Sequence, residues 1–123
     1  MIAYLSVALG GATGAVLRFL VSQLLPQAKT GFPYATLLVN IVGCILIGVF
    51  YVFFVERYSG TAPWRELLVV GLCGGFTTYS AFSFEVLQLW QSGQVQTALI
   101  YIVLSVVFCI VATLVAVSLM RLV

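Results

Sequence analysis

Hydroxyl and aromatic side chains follow closely spaced glycines in the stretch GLCGGFTTYSAFSFE, Gly71 to Glu85. Glycine has poor helix propensity, and threonine and serine hydroxyls can bond to backbone groups that leave a helix. The pattern therefore predicts an interrupted helix between Gly74 and Ser80. Carbonyls freed there would suit a small hard cation, whereas hydroxyl and N–H groups would suit an anion.

Two aromatic rings, Tyr79 and Phe82, are three residues apart just after this interruption, so both could point the same way. An aromatic ring has a positive edge, which attracts an anion without supplying a full countercharge. Such a contact would suit a pore that must bind an ion and then release it. Ordinary packing is the alternative role for both rings.

Polar and small residues recur every four positions in two other apolar segments, which places each set on one helix face. The two sets are Thr36, Asn40, Cys44 and Gly48, and Tyr101, Ser105, Cys109 and Thr113. Ser80 and Ser83 add hydroxyls after the interruption. These stripes predict the lining of a hydrated path, because polar groups at membrane depth are costly without a partner. Interhelical bonding by Asn40, or hydroxyl bonds to the helix's own carbonyls, are the alternatives.

Arg18 and Glu85 are the two formal charges placed deep in apolar segments. Arg18 lies toward the end of its segment, where its side chain could extend to the membrane interface. A lone acid is a poor lining for an anion path, so we expect Glu85 to face a vestibule or a polar partner.

These residues require membrane helices to position them. The 123-residue chain is 63% hydrophobic and 7% charged, which excludes a soluble domain. Apolar runs long enough to cross a bilayer predict one all-α transmembrane domain, residues 1–123, located in the cell (inner or plasma) membrane as a multi-pass protein. The four predicted helices are residues 2–25, 32–55, 64–90 and 95–119. Pro26, Pro33 and Pro63 fall between or at the starts of these runs.

Several function classes are disfavoured by the composition. The chain has no histidine, its three acids are all glutamates, and no nucleophile stands beside a base, so we expect no enzyme. The net charge of +2 is not clustered, so nucleic acid is not an expected partner. The three isolated cysteines are expected to be small packing residues, although Cys44 and Cys109 each fall in one of the two stripes.

An even number of spans places both termini on one side, with Arg57, Arg65 and Arg121; Lys29 and Arg18 lie toward the other. Because short-loop Lys and Arg residues set orientation, this near balance would allow insertion both ways up, although a single orientation is the alternative. Four helices are too few to enclose a hydrated path, so an oligomer is expected. Small residues mark faces where backbones could meet: Gly10, Gly11, Gly14 and Ala15, and Gly71 and Gly75.

The segments GGATGAVLRF (Gly10 to Phe19), ATLLVN (Ala35 to Asn40) and GLCGGFTTYSAFSFE together resemble the Fluc/CrcB family of fluoride channels. The resemblance covers the whole chain. It implies a fluoride-selective channel that exports cytoplasmic fluoride passively and gives fluoride resistance. It also implies an antiparallel, dual-topology homodimer in membrane lipid, with the third helix broken mid-membrane.

The resemblance also implies roles for individual residues. A structural sodium ion at the dimer interface would be held by the backbone carbonyls of Gly74 and Thr77. The anion pathway would comprise Asn40, Thr36, Tyr79, Ser80, Phe82, Ser83, Tyr101, Ser105, Cys109 and Arg18. Three positions depart from the usual pattern: Tyr79 replaces phenylalanine, Ala81 replaces threonine and Cys109 replaces serine.

Two alternatives from other classes remain. A small proton-coupled multidrug or cation exporter has the same four-helix, dual-topology layout, but it depends on a glutamate in the first helix, where this chain has none. A membrane assembly protein, in which the glycines only pack helices, would give the polar stripes no purpose.

Overall fold

The computed structural model describes residues 1–25, 31–57 and 63–123, and all the regular structure in these ranges is helical. Four helices within them are long and apolar enough to cross a membrane: α1 (Ile2–Leu24), α2 (Tyr34–Arg57), a third span (Pro63–Gln91) and a fourth (Val95–Leu122). The predicted bounds differ from these by at most three residues. Pro26 and Lys29 lie outside the described residues.

The third span consists of two helices. We call residues 63–76 α3, Tyr79–Gln91 α4, and the fourth span, Val95–Leu122, α5. Pro63 begins α3, where a missing N–H group costs little. Wider π-helical turns run through Glu66–Cys73 in α3 and Val52–Arg57 at the end of α2.

Glycines bring the backbones of α1 and α3 into direct contact. A Cβ atom built on Gly71 would lie 2.8 Å from the Gly10 Cα atom, and one on Gly75 would collide with the Gly11 carbonyl. Any larger side chain at Gly71 or Gly75 would force the two helices apart. The two small-residue faces noted in the sequence therefore pack against each other within one chain.

Helices α2 and α5 form the other closely packed pair. A Cβ atom on Gly48 would lie 2.8 Å from the Ala116 Cβ atom, so glycine permits this approach as well. At the ends of the two helices, Glu56 forms an ion pair with Arg121, and Arg57 Nη2 donates to the Met120 carbonyl over 2.6 Å. These contacts hold the two polar stripes of α2 and α5 beside the junction of α3 and α4.

Candidate ion pathway

The third span is interrupted at Thr77 and Thr78. Their backbone angles are extended, with φ −73° and ψ 157° at Thr77 and φ −151° and ψ 117° at Thr78. Thr78 then caps α4, because its hydroxyl oxygen accepts the N–H of Ala81 at 3.1 Å. The interruption lies inside the interval predicted from the glycines and hydroxyls.

Asn40 on α2 holds this interruption in place. Its Oδ1 atom accepts the Thr78 N–H at 2.8 Å, and its Nδ2 atom donates to the Thr78 carbonyl over 3.1 Å. One amide side chain thereby satisfies both backbone groups of a residue that has left the helix. The interhelical role considered for Asn40 is thus present, and the second Nδ2 hydrogen is not used in these two bonds.

Two carbonyl oxygens at the interruption lose their usual helical donors. A carbonyl in an α-helix accepts the N–H four residues later. The Thr78 N–H donates to Asn40 instead of the Gly74 carbonyl. The Ala81 N–H donates to the Thr78 hydroxyl instead of the Thr77 carbonyl. Gly74 is exposed, and a Cβ atom there would meet no described atom within 4 Å.

A cavity of about 350 Å³ opens beside the interruption. Its lining includes seven of the residues singled out in the sequence: Asn40, Cys44, Thr77, Tyr79, Phe82, Ser105 and Cys109. Apolar residues of α2 and α5, among them Ile47 and Ile110, form part of the remaining wall. The polar stripes of α2 and α5 therefore face one space together with the start of α4.

Ser105 is the one buried side chain whose polar atom has no hydrogen-bond partner among the described residues. The residue is 7% exposed and lines the cavity. Burying a hydroxyl without a partner costs free energy, so such an atom is rare in native proteins. The cavity beside Ser105 is thus a place where a hydrogen-bonding ligand would be stabilised.

The two aromatic rings after the interruption differ in their surroundings. Tyr79 is 79% exposed on the single chain, whereas Phe82 is 8% exposed. Their ring centroids are 5.4 Å apart, and Phe82 also packs against Tyr101 with a centroid separation of 5.1 Å. Phe82 thus belongs to both the core and the cavity wall, while Tyr79 extends to the surface of the chain.

Glu85 binds two hydroxyl groups from different helices. Thr36 Oγ1 donates to Glu85 Oε1 over 2.6 Å, and the Tyr101 hydroxyl donates to Oε2 over 2.7 Å. Thr36 and Tyr101 therefore hold the carboxylate and are not part of the lining of the main cavity. The expectation of a polar partner for Glu85 is confirmed, but its identity was missed. The sequence feature that could have identified Thr36 and Tyr101 as these partners is that each is the first residue of its polar stripe.

Glu85 also lines a second, polar cavity of about 230 Å³, together with Gln88 and Gln94. This cavity lies at the end of α4 and the start of α5, and it shares no lining residue with the main cavity. Its wall agrees with the vestibule considered for Glu85.

The remaining sequence candidates lie elsewhere. The Ser83 hydroxyl donates to the Tyr79 carbonyl of its own helix over 3.0 Å, which is the alternative considered for the hydroxyls. Ser80 is exposed, with its oxygen 3.4 Å from the Thr78 hydroxyl. Arg18 is half-buried on α1. None of the three is in the described lining of the main cavity.

Comparison with known proteins identifies relatives over nearly the whole chain. The family model "CrcB-like protein, Camphor Resistance (CrcB)" matches residues 5–117. The fluoride-specific ion channel FluC of Saccharophagus degradans is 49% identical over 97% of this chain and 90% of its own length. The proteins of the same name from Flavobacterium psychrophilum and Rhizobium etli are 47% and 43% identical, over 87% and 98% of this chain. With its four apolar spans, this chain is a multi-pass membrane protein, and it belongs to the CrcB family.

Proposed function

We propose that this chain is a fluoride-selective ion channel through which cytoplasmic fluoride leaves the cell passively. Two observations support this function. The relatives that match most of the chain are named fluoride-specific ion channels. The cavity beside the helix interruption contains a buried hydroxyl, on Ser105, that lacks a partner among the described residues.

The chemistry of fluoride explains why a passive pore is sufficient. Hydrogen fluoride is a weak acid that crosses a bilayer uncharged and dissociates in a less acidic cytoplasm, where the anion is trapped. A selective pore lets that anion leave down its electrochemical gradient. The resulting fluoride resistance needs no energy source and no catalytic group.

The Ser105 hydroxyl is the observation that carries the proposal at this site. Fluoride is small and strongly hydrated, so a pore must replace its water with donors. The Ser105 O–H group and the second Nδ2 hydrogen of Asn40 are such donors, and Phe82 can add a ring edge. A carboxylate would repel the anion, but Glu85 is held by two hydroxyls and is not in the described lining of the main cavity. Cys109 adds a thiol, a weaker donor.

We assign the other candidates to the ends of this path. Thr36 and Tyr101, bound to Glu85, would lie between the main cavity and the polar vestibule beside Gln88. Tyr79, Ser80 and Ser83 would contribute from the exposed face of α4. Arg18 would line a vestibule and attract anions toward its mouth.

The assembly in this proposal is an antiparallel, dual-topology homodimer in the cell membrane, with two fluoride paths. Residues 77 and 78 lie midway between the ends of the third span, which supports an interruption at mid-membrane depth. Tyr79 and Gly74 are exposed on the single chain, so a second copy would cover polar backbone that lipid cannot satisfy. The dimer would place the interruptions of both copies at its centre.

A sodium ion fits the chemistry of this interruption. The Gly74 and Thr77 carbonyls are hard oxygen donors whose helical N–H partners bond elsewhere. Two such oxygens from each copy would hold the ion between the subunits. The positive charge of the ion would be stabilised by the negative ends of the carbonyl dipoles. The ion would join the two chains at Gly74, where no side chain blocks the approach.

Reconstitution into liposomes tests the function. Vesicles loaded with potassium fluoride are diluted into fluoride-free buffer, valinomycin is added, and an electrode records fluoride release. We expect rapid release that needs the protein, and little release of chloride from matched vesicles. Comparable chloride flux, or fluoride release that requires a proton gradient, would contradict a fluoride-selective channel and favour the exporter.

A further inference from the structure

Two of the three cysteines lie side by side between α2 and α5. Cys44 lies on α2 and Cys109 on α5, and both residues line the same two cavities. The Thr113 hydroxyl donates to the backbone carbonyls of both residues, at 3.2 Å to Cys44 and 3.1 Å to Cys109. This bifurcated bond holds the two residues at one level of the helix pair, so both thiols start from neighbouring points of the backbone.

The thiol pair is accessible from open space. Cys44 and Cys109 both line the main cavity of about 350 Å³, and both line a neighbouring cavity of about 250 Å³. Each residue is half-buried, whereas Cys73 is 1% exposed and lines neither cavity. A small ion in either cavity would therefore meet two sulfur atoms together.

We propose that Cys44 and Cys109 form a binding site for one soft, singly charged metal cation of the copper(I) class inside the ion pathway. Thiolate sulfur is the ligand that selects such cations, whereas harder cations prefer oxygen. The described residues contain no group of three or more His, Cys, Asp or Glu residues that could hold a metal. Two neighbouring thiols match a soft cation that is satisfied by two ligands, and not zinc, which takes four.

Binding is a substitution of protons by metal, with no change of oxidation state. Each thiol releases one proton to the solvent, and each sulfur donates the electron pair of its former S–H bond to the cation. Two thiols and one singly charged cation give a bis-thiolate complex of net charge −1 and two protons. This complex would occupy part of the main cavity, and its net negative charge would repel an anion. The site is therefore inhibitory. This consequence depends on the proposed channel function, but the binding does not.

Silver(I) is the probe, because it is a soft cation that does not change oxidation state and does not precipitate with fluoride. Purified, reduced protein is titrated with silver nitrate in chloride-free buffer, and native mass spectrometry counts the bound ions. We expect one tightly bound silver ion per chain. Cys44→Ser and Cys109→Ser should each weaken this binding at least a hundredfold, and Cys73→Ala should not weaken it. Size-exclusion elution matching that of the wild type shows that each variant is folded.

Equal silver binding by the wild type and Cys44→Ser would overturn the paired site, as would loss of binding in Cys73→Ala alone. Fluoride release is then measured with and without silver for each variant against its own silver-free rate. Silver should stop release through the wild type and Cys73→Ala, and should do so much less through the two other variants. Binding without inhibition would overturn the placement of the site in the pathway. If no variant releases fluoride even without silver, the proposed channel function fails while the binding result still decides the metal site.

Discussion

Thr78 shows how one residue can leave a helix without leaving its backbone groups unpaired. Its N–H and carbonyl both bond to Asn40, and its hydroxyl caps the next helix. Ser105 is the opposite case, because its buried hydroxyl has no partner among the described residues. A native fold usually satisfies such groups, so this exception beside the cavity supports the proposed fluoride path.

Ser105→Ala separates function from stability. Removing a buried hydroxyl that has no protein partner should leave the free energy of unfolding unchanged or raise it by up to about 1 kcal/mol. The melting temperature should therefore stay the same or rise. Fluoride release should fall about tenfold, because a donor worth roughly 1.4 kcal/mol would be lost. Electrode recordings and a thermal melt in detergent measure both quantities. Ser22→Ala is the control, since that exposed serine bonds within its own helix; equal release by both variants would contradict the role of Ser105.

Asn40→Asp tests the clamp on the interruption. A carboxylate can still accept the Thr78 N–H, but it cannot donate to the Thr78 carbonyl, so one of the two bonds between Asn40 and the interruption is replaced by the repulsion of two oxygen atoms in a partly buried site. We expect a loss of about 1–3 kcal/mol in stability. Fluoride release should also fall steeply, because the new charge repels the anion. Thermal melts and liposome flux measure these effects, and unchanged flux would indicate that Asn40 only packs helices.

Helices α1 and α3 pack through glycine because their backbones touch. Glycine lowers the helix propensity of both segments, but its lack of a side chain allows the two backbones to approach closely. The contact keeps α3 fixed while the chain changes direction at Thr77, so α4 begins at a defined place beside α2. The interruption is thus positioned from both sides, by the glycines of α1 and by Asn40.

Gly10→Ala should be strongly destabilising, whereas Gly11→Ala should be tolerated. A Cβ atom on Gly10 would lie 2.8 Å from the Leu72 nitrogen, while one on Gly11 would find its nearest neighbour at 4.0 Å. Overpacking of this kind costs typically about 1–3 kcal/mol. Comparison of the two melting temperatures in detergent checks the prediction. Equal melting temperatures would show that α1 and α3 can move apart at little cost.

The Lys and Arg residues of the chain are divided almost equally between the two ends of its spans. Two of the arginines also bond to groups within the chain. Arg121 is paired with Glu56, and Arg57 bonds to the end of α5. Weak bias is the condition under which a chain can insert both ways up, which an antiparallel dimer requires.

Added charge should therefore reduce activity by forcing a single orientation. Two lysines appended after Val123 should direct the termini to the cytoplasm and reduce fluoride resistance in cells. A second copy carrying two lysines on the opposite side should restore it when both are expressed. Growth in fluoride measures resistance, and accessibility of a terminal tag measures orientation. Full resistance from one fixed orientation alone would contradict the antiparallel dimer.

Much of the fold follows from local properties of the sequence. Hydropathy and proline positions predict the four spans within three residues, because bilayer thickness and helix rise set the length of each apolar run. Glycine and hydroxyl spacing predicts the interruption, since both act on the backbone nearby. Family resemblance, and not spacing, is the source of the proposed sodium ligands and of the proposed dimer.

The contacts between helices could be identified only in the folded structure. The spacing of Thr36 and Tyr101 predicts a lining, yet both hydroxyls bond to Glu85, a residue distant in sequence from Thr36. Cys44 and Cys109 are isolated in the sequence and adjacent in space for the same reason. A periodic pattern specifies which face a residue shares, but the partner opposite that face depends on how helices pack. Tertiary packing alone therefore determined which polar groups are satisfied and which, like Ser105, remain open to a ligand.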